Sequence, residues 1–251
     1  MNDFNKSYNA MLIQISLLYP IRTVINHQYT NGDTFLSSVK NLYKKEGIKR
    51  FYRGYIPGLV QGPLIKSGDL IINSHIINNL NTNDIMIKTF FSSIIGSGFR
   101  CFFIPIDTVK TSLQINGNLK PLKEKINKRG VLSLYNGISS LYVGNFISHY
   151  PWFLTYNILD DKLPVYDDNK NILRNGFLGF CCSASSDSCV NFFKILKVNK
   201  QTHKNIHITY KDIITEIYHK EGFKGLFLRG LMTKIIGNGL QNMLFMILWK
   251  S

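Results

Sequence analysis

Acidic residues are scarce in this chain of 251 residues. It contains 15 Asp and Glu residues against 30 Lys and Arg residues, which gives a formal net charge of +15. An excess of this size attracts anions such as nucleic acids, acidic lipids or anionic solutes. Charged residues make up only 18% of the chain, however, and no run of basic residues is longer than two. The composition therefore argues against a nucleic-acid-binding protein.

Sequence motifs for disulfides, metals and catalysis are also missing. The four cysteines include no C-x-x-C pair, so we interpret them as small core residues. His203 and His207 are spaced by one helical turn but have no acidic residue nearby, which disfavours a metal site. There is no phosphate-binding G-x-x-x-x-G-K loop, no nucleophile elbow and no paired carboxylates, so we expect neither an enzyme nor a cofactor. The first six residues do not resemble a secretory signal.

Long apolar runs are present only in interrupted form. No window holds 18 consecutive apolar residues, but four windows of nearly that length or longer carry at most two charges each. These windows are Ile85–Ile106, Ile138–Leu159, Phe177–Phe193 and Leu231–Trp249. As helices they approach the ~30 Å thickness of a bilayer core. The few polar residues are then expected to face a bundle interior or a water-filled cavity.

A pattern repeats three times along the chain. Pro20 and Pro105 are 85 residues apart, and Phe192 replaces the proline 87 residues later. Each copy has an apolar helix, a polar amphipathic segment, a glycine turn and a second apolar helix. The repetition predicts three structural repeats over residues 1–80, 81–162 and 163–251.

The repeated residues resemble the mitochondrial carrier family. Its hallmark is P-x-[DE]-x-x-[KR] followed by [DE]-G-x(4)-aromatic-[KR]-G, in three copies. The second repeat matches the first motif with Pro105, Asp107 and Lys110, and the first repeat matches the second motif over 46–54. The resemblance implies an all-α membrane protein, with six transmembrane helices in three pseudo-symmetric helix–matrix helix–helix repeats around a central cavity. It further implies a monomer in the mitochondrial inner membrane, with cardiolipin contacts at the matrix side. The abundance of Asn, Ile and Lys suggests an AT-rich genome, and a viral gene would place the protein in a host mitochondrion.

In the family, acids of the first motif pair with bases of the next repeat and close a gate on the matrix side. The acid positions of this chain hold Arg22, Asp107 and Lys194, and the base positions hold Ile25, Lys110 and Lys197. Only Asp107 and Lys197 can therefore form an ion pair between repeats, and we expect Arg22 to face Lys110. Gln114 and Gln201 occupy the bracing glutamine positions, where the first repeat has Tyr29. The family has a second gate, on the second apolar helix of each repeat. We expect that gate to lack an ion pair in this chain, since the second repeat reads Tyr156-Asn157-Ile158-Leu159-Asp160 there.

The resemblance also places solute contacts midway along the helices. At those levels we name as candidates Lys66, Arg100, Gly144, Asn145, His149, Lys234 and Asn238. Arg100, Lys66 and Lys234 would form a cationic lining suited to phosphate or carboxylate. Alternatively, Lys66 and Lys234 extend to the membrane interface. Gly144 followed by Asn145 is similar to the spot that nucleotide carriers place beneath a base.

The leading hypothesis is a carrier that exchanges an anionic metabolite by alternating access. Nucleotides or deoxynucleotides are the solutes that we expect first. Another phosphorylated or carboxylated solute is an alternative. The incomplete gates favour a different alternative, a carrier-like protein that does not exchange and acts as a proton leak or membrane receptor. A soluble basic protein that binds nucleic acid is a third reading.

Overall fold

The computed structural model describes residues 2–80, 85–164, 169–205 and 207–250. All regular structure in these ranges is helical. The α-helices are α1 (Asn2–Asn31), α2 (Phe35–Glu46), α3 (Tyr55–Asn79), α4 (Ile85–Cys101), α5 (Ile104–Asn116), α6 (Lys120–Arg129), α7 (Ile138–Lys162), α8 (Asn169–Thr202), α9 (Tyr210–Leu228) and α10 (Leu231–Lys250). Short 3-10 helices follow α2 at Gly47–Tyr52 and α6 at Val131–Tyr135.

Caps and glycines define the short helices. The side chain of Thr34 accepts a hydrogen bond from the backbone N–H of Ser37 at the start of α2. Thr209 and Asp212 form a reciprocal capping box at the start of α9. Gly222 interrupts α9 with φ 63°, at the place where a 3-10 helix follows a glycine in the other two copies. The repeated glycine turn of the sequence is thus a repeated change of chain direction.

The long helices form a closed ring. Going round it, each helix contacts the next in the order α1, α3, α4, α7, α8, α10, and α10 returns to α1. The ends of α1, α5 and α8 also contact one another at one end of the ring, which we call the gate end. The prediction of an all-α fold is confirmed. We propose that α1–α3, α4–α7 and α8–α10 are the first, second and third repeats.

The proline positions differ in their effect on the helices. The second apolar window is broken at Phe102 and Phe103, and its two parts, Phe90–Cys101 and Ile104–Asn116, meet at 63°. Pro105 is the second residue after the break, where its missing N–H needs no partner. Pro20 lies inside the uninterrupted α1, and Phe192 lies inside the uninterrupted α8. Judged on length and hydropathy within the described ranges, the bent pair could cross a membrane as one unit, and no helix qualifies alone.

Three cations cap helix ends across repeat boundaries at the gate end. Arg50 donates to the carbonyls of Leu113 (3.0 Å) and Ile115 (2.6 Å) at the end of α5. Lys125 of α6 donates to the carbonyl of Gln201 at the end of α8 (2.9 Å). Arg229, after α9, donates to the carbonyls of residues 29 and 30 at the end of α1 (3.2 and 3.4 Å). We call these contacts the inter-repeat caps. They satisfy carbonyls that have no partner within their own helix and place positive charge at the negative helix end.

Candidate functional site

Asp107 is the centre of the polar contacts at the gate end. Asp107 is 4% exposed, and its carboxylate accepts a hydrogen bond from the Lys197 ammonium at 2.6 Å and forms an ion pair with the Lys110 ammonium at 2.8 Å. The amides of Gln61 and Gln201 donate to the same carboxylate at 3.2 Å each. The ion pair between Asp107 and Lys197, predicted from the motif register, is therefore present. One carboxylate serves two ammonium groups here, so the cluster has one positive charge in excess.

The three bracing positions form a cycle between α1, α5 and α8. Gln201 of α8 donates to Asp107 and to the Thr108 hydroxyl (3.1 Å) on α5. Gln114 of α5 accepts from Asn26 on α1 at 2.6 Å. Tyr29 of α1 donates its hydroxyl to the Asn191 side chain on α8 at 2.8 Å. Tyr29 thus makes the contact between helices that a glutamine makes in the other two repeats.

Two cations occupy acid positions without a carboxylate partner. Arg22 donates to the Gln241 amide oxygen at 2.9 Å, and Lys194 donates to the Asn145 amide oxygen at 3.3 Å. Within the described part of the chain, no carboxylate lies within 4 Å of either cation. Both side chains are partly accessible. Ile25, at the base position of the first repeat, is buried in an apolar cluster with residues of α8 and α9. That Arg22 faces Lys110 stays a prediction, and its hydrogen bond to Gln241 is an additional contact.

Arg100 and Lys234 each have a carboxylate partner. Arg100 makes a bidentate contact with Asp69 of α3, with N–O distances of 3.1 Å from Nε and 2.5 Å from Nη2. Lys234 lies 3.0 Å from Asp187, and Asn238 donates to that carboxylate too. The predicted cationic lining thus has an acid beside two of its three cations, and its contact with a solute stays a prediction. Asp69 was missed, although a lone acid in an apolar helix is itself a signal of a buried partner.

The remaining candidates lie in α3 and α7. Gly144 packs against α8 so closely that an added Cβ would lie 2.9 Å from Phe193 Cβ. It therefore allows α7 and α8 to approach, and its contact with a solute stays a prediction. Asn145 is 3% exposed and holds Lys194. The side chains of Lys66 and His149 lie outside the described residues.

Asp160, at the far end of α7 in the second-gate motif, pairs with Arg174 of α8 at 2.6 Å. Arg174 thus lies on α8, the first long helix of the third repeat. The expected absence of an ion pair between the second long helices of the repeats, α3, α7 and α10, stays a prediction. No group of three metal-ligating residues occurs in the parts of the chain that the structure describes.

A family model described as mitochondrial carrier protein matches residues 81–166 and 168–250, which together are more than half of the chain. This chain belongs to the mitochondrial carrier family. It is therefore a membrane transporter of the mitochondrial inner membrane. Residues 1–80 lie outside the match, and this is the repeat in which both the acid and the base of the first motif are replaced.

Several curated relatives of this carrier are similar at low identity. The mitochondrial 2-oxodicarboxylate carrier 2 of Saccharomyces cerevisiae is 23% identical over 88% of this chain and 78% of its own length. The mitochondrial ornithine transporter 1 of the same yeast is 24% identical over 79% and 75%. The mitoferrin of Dictyostelium discoideum is 24% identical over 62% of this chain, which spans only 53% of that protein. The names of these relatives indicate different cargoes.

Cations outnumber acids among the gate and candidate residues of this carrier. The contacts of Asp107, of the two acid-position cations, of Arg100 and of Lys234 involve six cations and three carboxylates. The cations are Arg22, Arg100, Lys110, Lys194, Lys197 and Lys234, and the carboxylates are Asp69, Asp107 and Asp187. Desolvated cations without counter-ions are costly, so such a lining favours a ligand that brings negative charge.

Proposed function

We propose that this carrier exchanges an anionic metabolite across the inner membrane by alternating access. The observation that carries the proposal is the pair of partly accessible cations, Arg22 and Lys194, whose hydrogen-bond partners are neutral amides. Amide oxygens accept a hydrogen bond but leave the charge of the donor uncompensated. A phosphate or carboxylate can supply both the acceptor and the charge.

The Asp107 cluster acts in this mechanism as the gate on the matrix side. Its pair with Lys197 joins α5 to α8, and the bracing residues Gln114, Gln201 and Tyr29 join the same helices and α1. Opening the gate breaks these contacts. The free energy of solute binding offsets that loss during each half of the exchange cycle.

The solute belongs to the class of phosphorylated or carboxylated metabolites. Nucleotides and deoxynucleotides were the first choice from the sequence, and the names of the relatives give no support to that choice. They enter the test beside 2-oxodicarboxylates. Ornithine, which has a cationic side chain, tests the sign of the charge.

The test is counter-exchange in proteoliposomes that contain the purified full-length protein. Vesicles loaded with unlabelled solute are supplied outside with labelled ATP, dATP, 2-oxoglutarate, phosphate or ornithine. We expect saturable uptake of at least one anion that requires an anion inside. Uptake of ornithine alone would overturn the proposal.

A second candidate function is a carrier-like protein that does not exchange. It is favoured by the gate itself, since only one of the three family ion pairs between repeats is present in the described residues. This candidate predicts proton conductance in the same vesicles with no requirement for an internal solute. Obligatory counter-exchange of any anion excludes it.

A further inference from the structure

The gate positions of this carrier carry excess positive charge. A complete gate would have three acids and three bases, whereas this one has Arg22, Lys110, Lys194 and Lys197 against Asp107. Asp107 compensates one of its two ammonium partners. Three positive charges are thus left uncompensated where the helices converge. Two of them, on Arg22 and Lys194, are at positions where the family has acids.

One face of α10 carries polar residues that contact charged side chains of α1 and α8. Lys234, Asn238 and Gln241 recur at intervals of four and three residues, so they lie along one side of the helix. Lys234 and Asn238 contact Asp187 of α8, and Gln241 holds Arg22 of α1. The Lys234 ammonium is buried, and Asp187, at 3.0 Å, is its one carboxylate partner within the described residues.

Lys194 lies among other cations rather than beside an acid. Lys197, Lys234 and Arg100 repel its ammonium electrostatically, and Asp107 attracts it less strongly. Its hydrogen bond to Asn145 is long at 3.3 Å. An ammonium in such surroundings gains more from an anionic ligand than from the amide it now contacts.

We propose that the transported solute carries at least two negative charges, and that its anionic groups bind Lys194 and Arg22 and take the place of the two missing gate acids. This inference rests on the proposed function and adds the charge of the solute and the place where it binds. The solute is then part of the gate. An empty gate is weakened by repulsion between cations, and a monoanion leaves one of the two acid positions uncompensated.

The first experiment compares solutes that differ by one charge. Thermal melting of the full-length protein in detergent is measured with succinate against succinamate, and with AMP against cyclic AMP. In at least one pair we expect the dianion to raise the melting temperature and the monoanion to raise it much less, because ligand binding adds stability. Equal shifts within both pairs, or no shift in either, would overturn the inference.

The second experiment changes the two cations. In the exchange assay, Arg22→Gln and Lys194→Met are each expected to raise the KM for the dianion about 10- to 100-fold, the usual effect of losing a charged hydrogen bond. Lys220→Met is the matched control, since that side chain is 64% exposed on α9. Arg22→Lys and Lys194→Arg keep the charge and are expected to retain most of the affinity. An unchanged KM in both neutral variants contradicts the inference.

A third variant covers the case in which the neutral variants fail to fold. Arg22→Glu places an acid at the position that normally pairs with the base at Lys110. We expect it to raise the melting temperature without solute and to reduce the shift caused by the dianion. A dianion shift as large as in the wild type would overturn the inference. The two proposals fail separately: a wild type that exchanges no anion contradicts the proposed function, whereas anion exchange that is indifferent to both cations contradicts only the placement.

Discussion

Asp107 is a single carboxylate with four polar partners from three helices. Two of these partners, Lys197 and Lys110, rely on it for a counter-charge. Lys197 and Lys110 each have one carboxylate within 4 Å in the described residues, and it is the same one. Arg22 and Lys194, which occupy the position of Asp107 in the other two repeats, make no ion pair with the described residues. Replacement of the acid and replacement of either cation should therefore change different properties of the protein.

We expect Asp107→Asn to lower the stability of the protein without solute by about 3–5 kcal/mol, because it leaves the buried ammonium of Lys197 and the half-buried ammonium of Lys110 without a counter-charge. Arg22→Gln and Lys194→Met each lose a bond to an amide and are expected to lose about 1 kcal/mol or less. Thermal melting in detergent, without solute, measures the difference. Three equal losses would show that the gate is not centred on Asp107.

At this scale the sequence predicts the pairs that the motif register specifies and misses the others. Asp107 and Lys197 were identified because both occupy family positions. Asp69 and Arg100 are 31 residues apart on helices that follow one another, and no motif relates their positions. Their contact depends on how α3 and α4 are rotated about their axes, which a repeat length does not determine.

Helices in this carrier approach closely where glycines begin α3 and α7. Gly137 has φ 90° and precedes α7, and an added Cβ would lie 3.0 Å from Lys197 Cγ and 3.2 Å from the Lys197 carbonyl oxygen. Gly54 stands at the same place before α3, and there the added Cβ would lie 2.8 Å from the Lys110 carbonyl oxygen. Each glycine thus lies against a base position of the gate in the following repeat.

Gly137→Ala and Gly130→Ala together isolate this close approach. Both glycines have positive φ, so both substitutions carry backbone strain: about 1–2 kcal/mol for Gly137, in the left-handed helical region, and about 1–3 kcal/mol for Gly130, whose ψ of −176° lies in a region nearly exclusive to glycine. Gly130 has no atom within 4 Å of the added Cβ. Gly137→Ala must also displace the Lys197 segment, and we expect an extra loss of about 1–3 kcal/mol. Melting temperatures of the two variants provide the measurement. Equal values would mean that the Lys197 segment of α8 moves aside with no loss of stability.

The sequence predicted the order of the elements better than the shape of the helices. Proline, or Phe192 in its place, recurs near the end of the first long helix of each repeat, and proline can kink a helix because it removes a backbone hydrogen bond. The chain breaks at one of these places, before Pro105, whereas α1 continues through Pro20 and α8 has no proline. A proline shows where a helix can bend. The packing of the whole ring decides where it is interrupted.

The whole molecule is held at the gate end by the three inter-repeat caps, and one of them is sensitive to pH. Burial, together with a smaller effect of the nearby Lys200, lowers the pKa of Lys125 to about 8. The ordinary value of 10.5 applies in the unfolded chain, so between pH 8 and 10.5 the unfolded state binds more protons than the folded state. Stability from this group therefore rises with pH in that window and is constant below it.

We expect the stability difference between the wild type and Lys125→Met to change by up to about 3 kcal/mol between pH 7.5 and pH 10, in favour of the wild type at the higher pH. The comparison cancels the titration of the other lysines. Melting temperatures at the two pH values, in the same detergent, provide the measurement. Parallel pH profiles would mean that Lys125 keeps its proton in the folded protein.

The inter-repeat caps also have a direction in time. A ribosome makes Arg50 before the end of α5, and Lys125 before the end of α8, so these two helix ends find their donors already present. The end of α1 must wait for Arg229, which is 200 residues further along the chain. A helix of the first repeat is therefore completed by a residue of the third, and a chain that stops before Arg229 leaves the end of α1 without this cap.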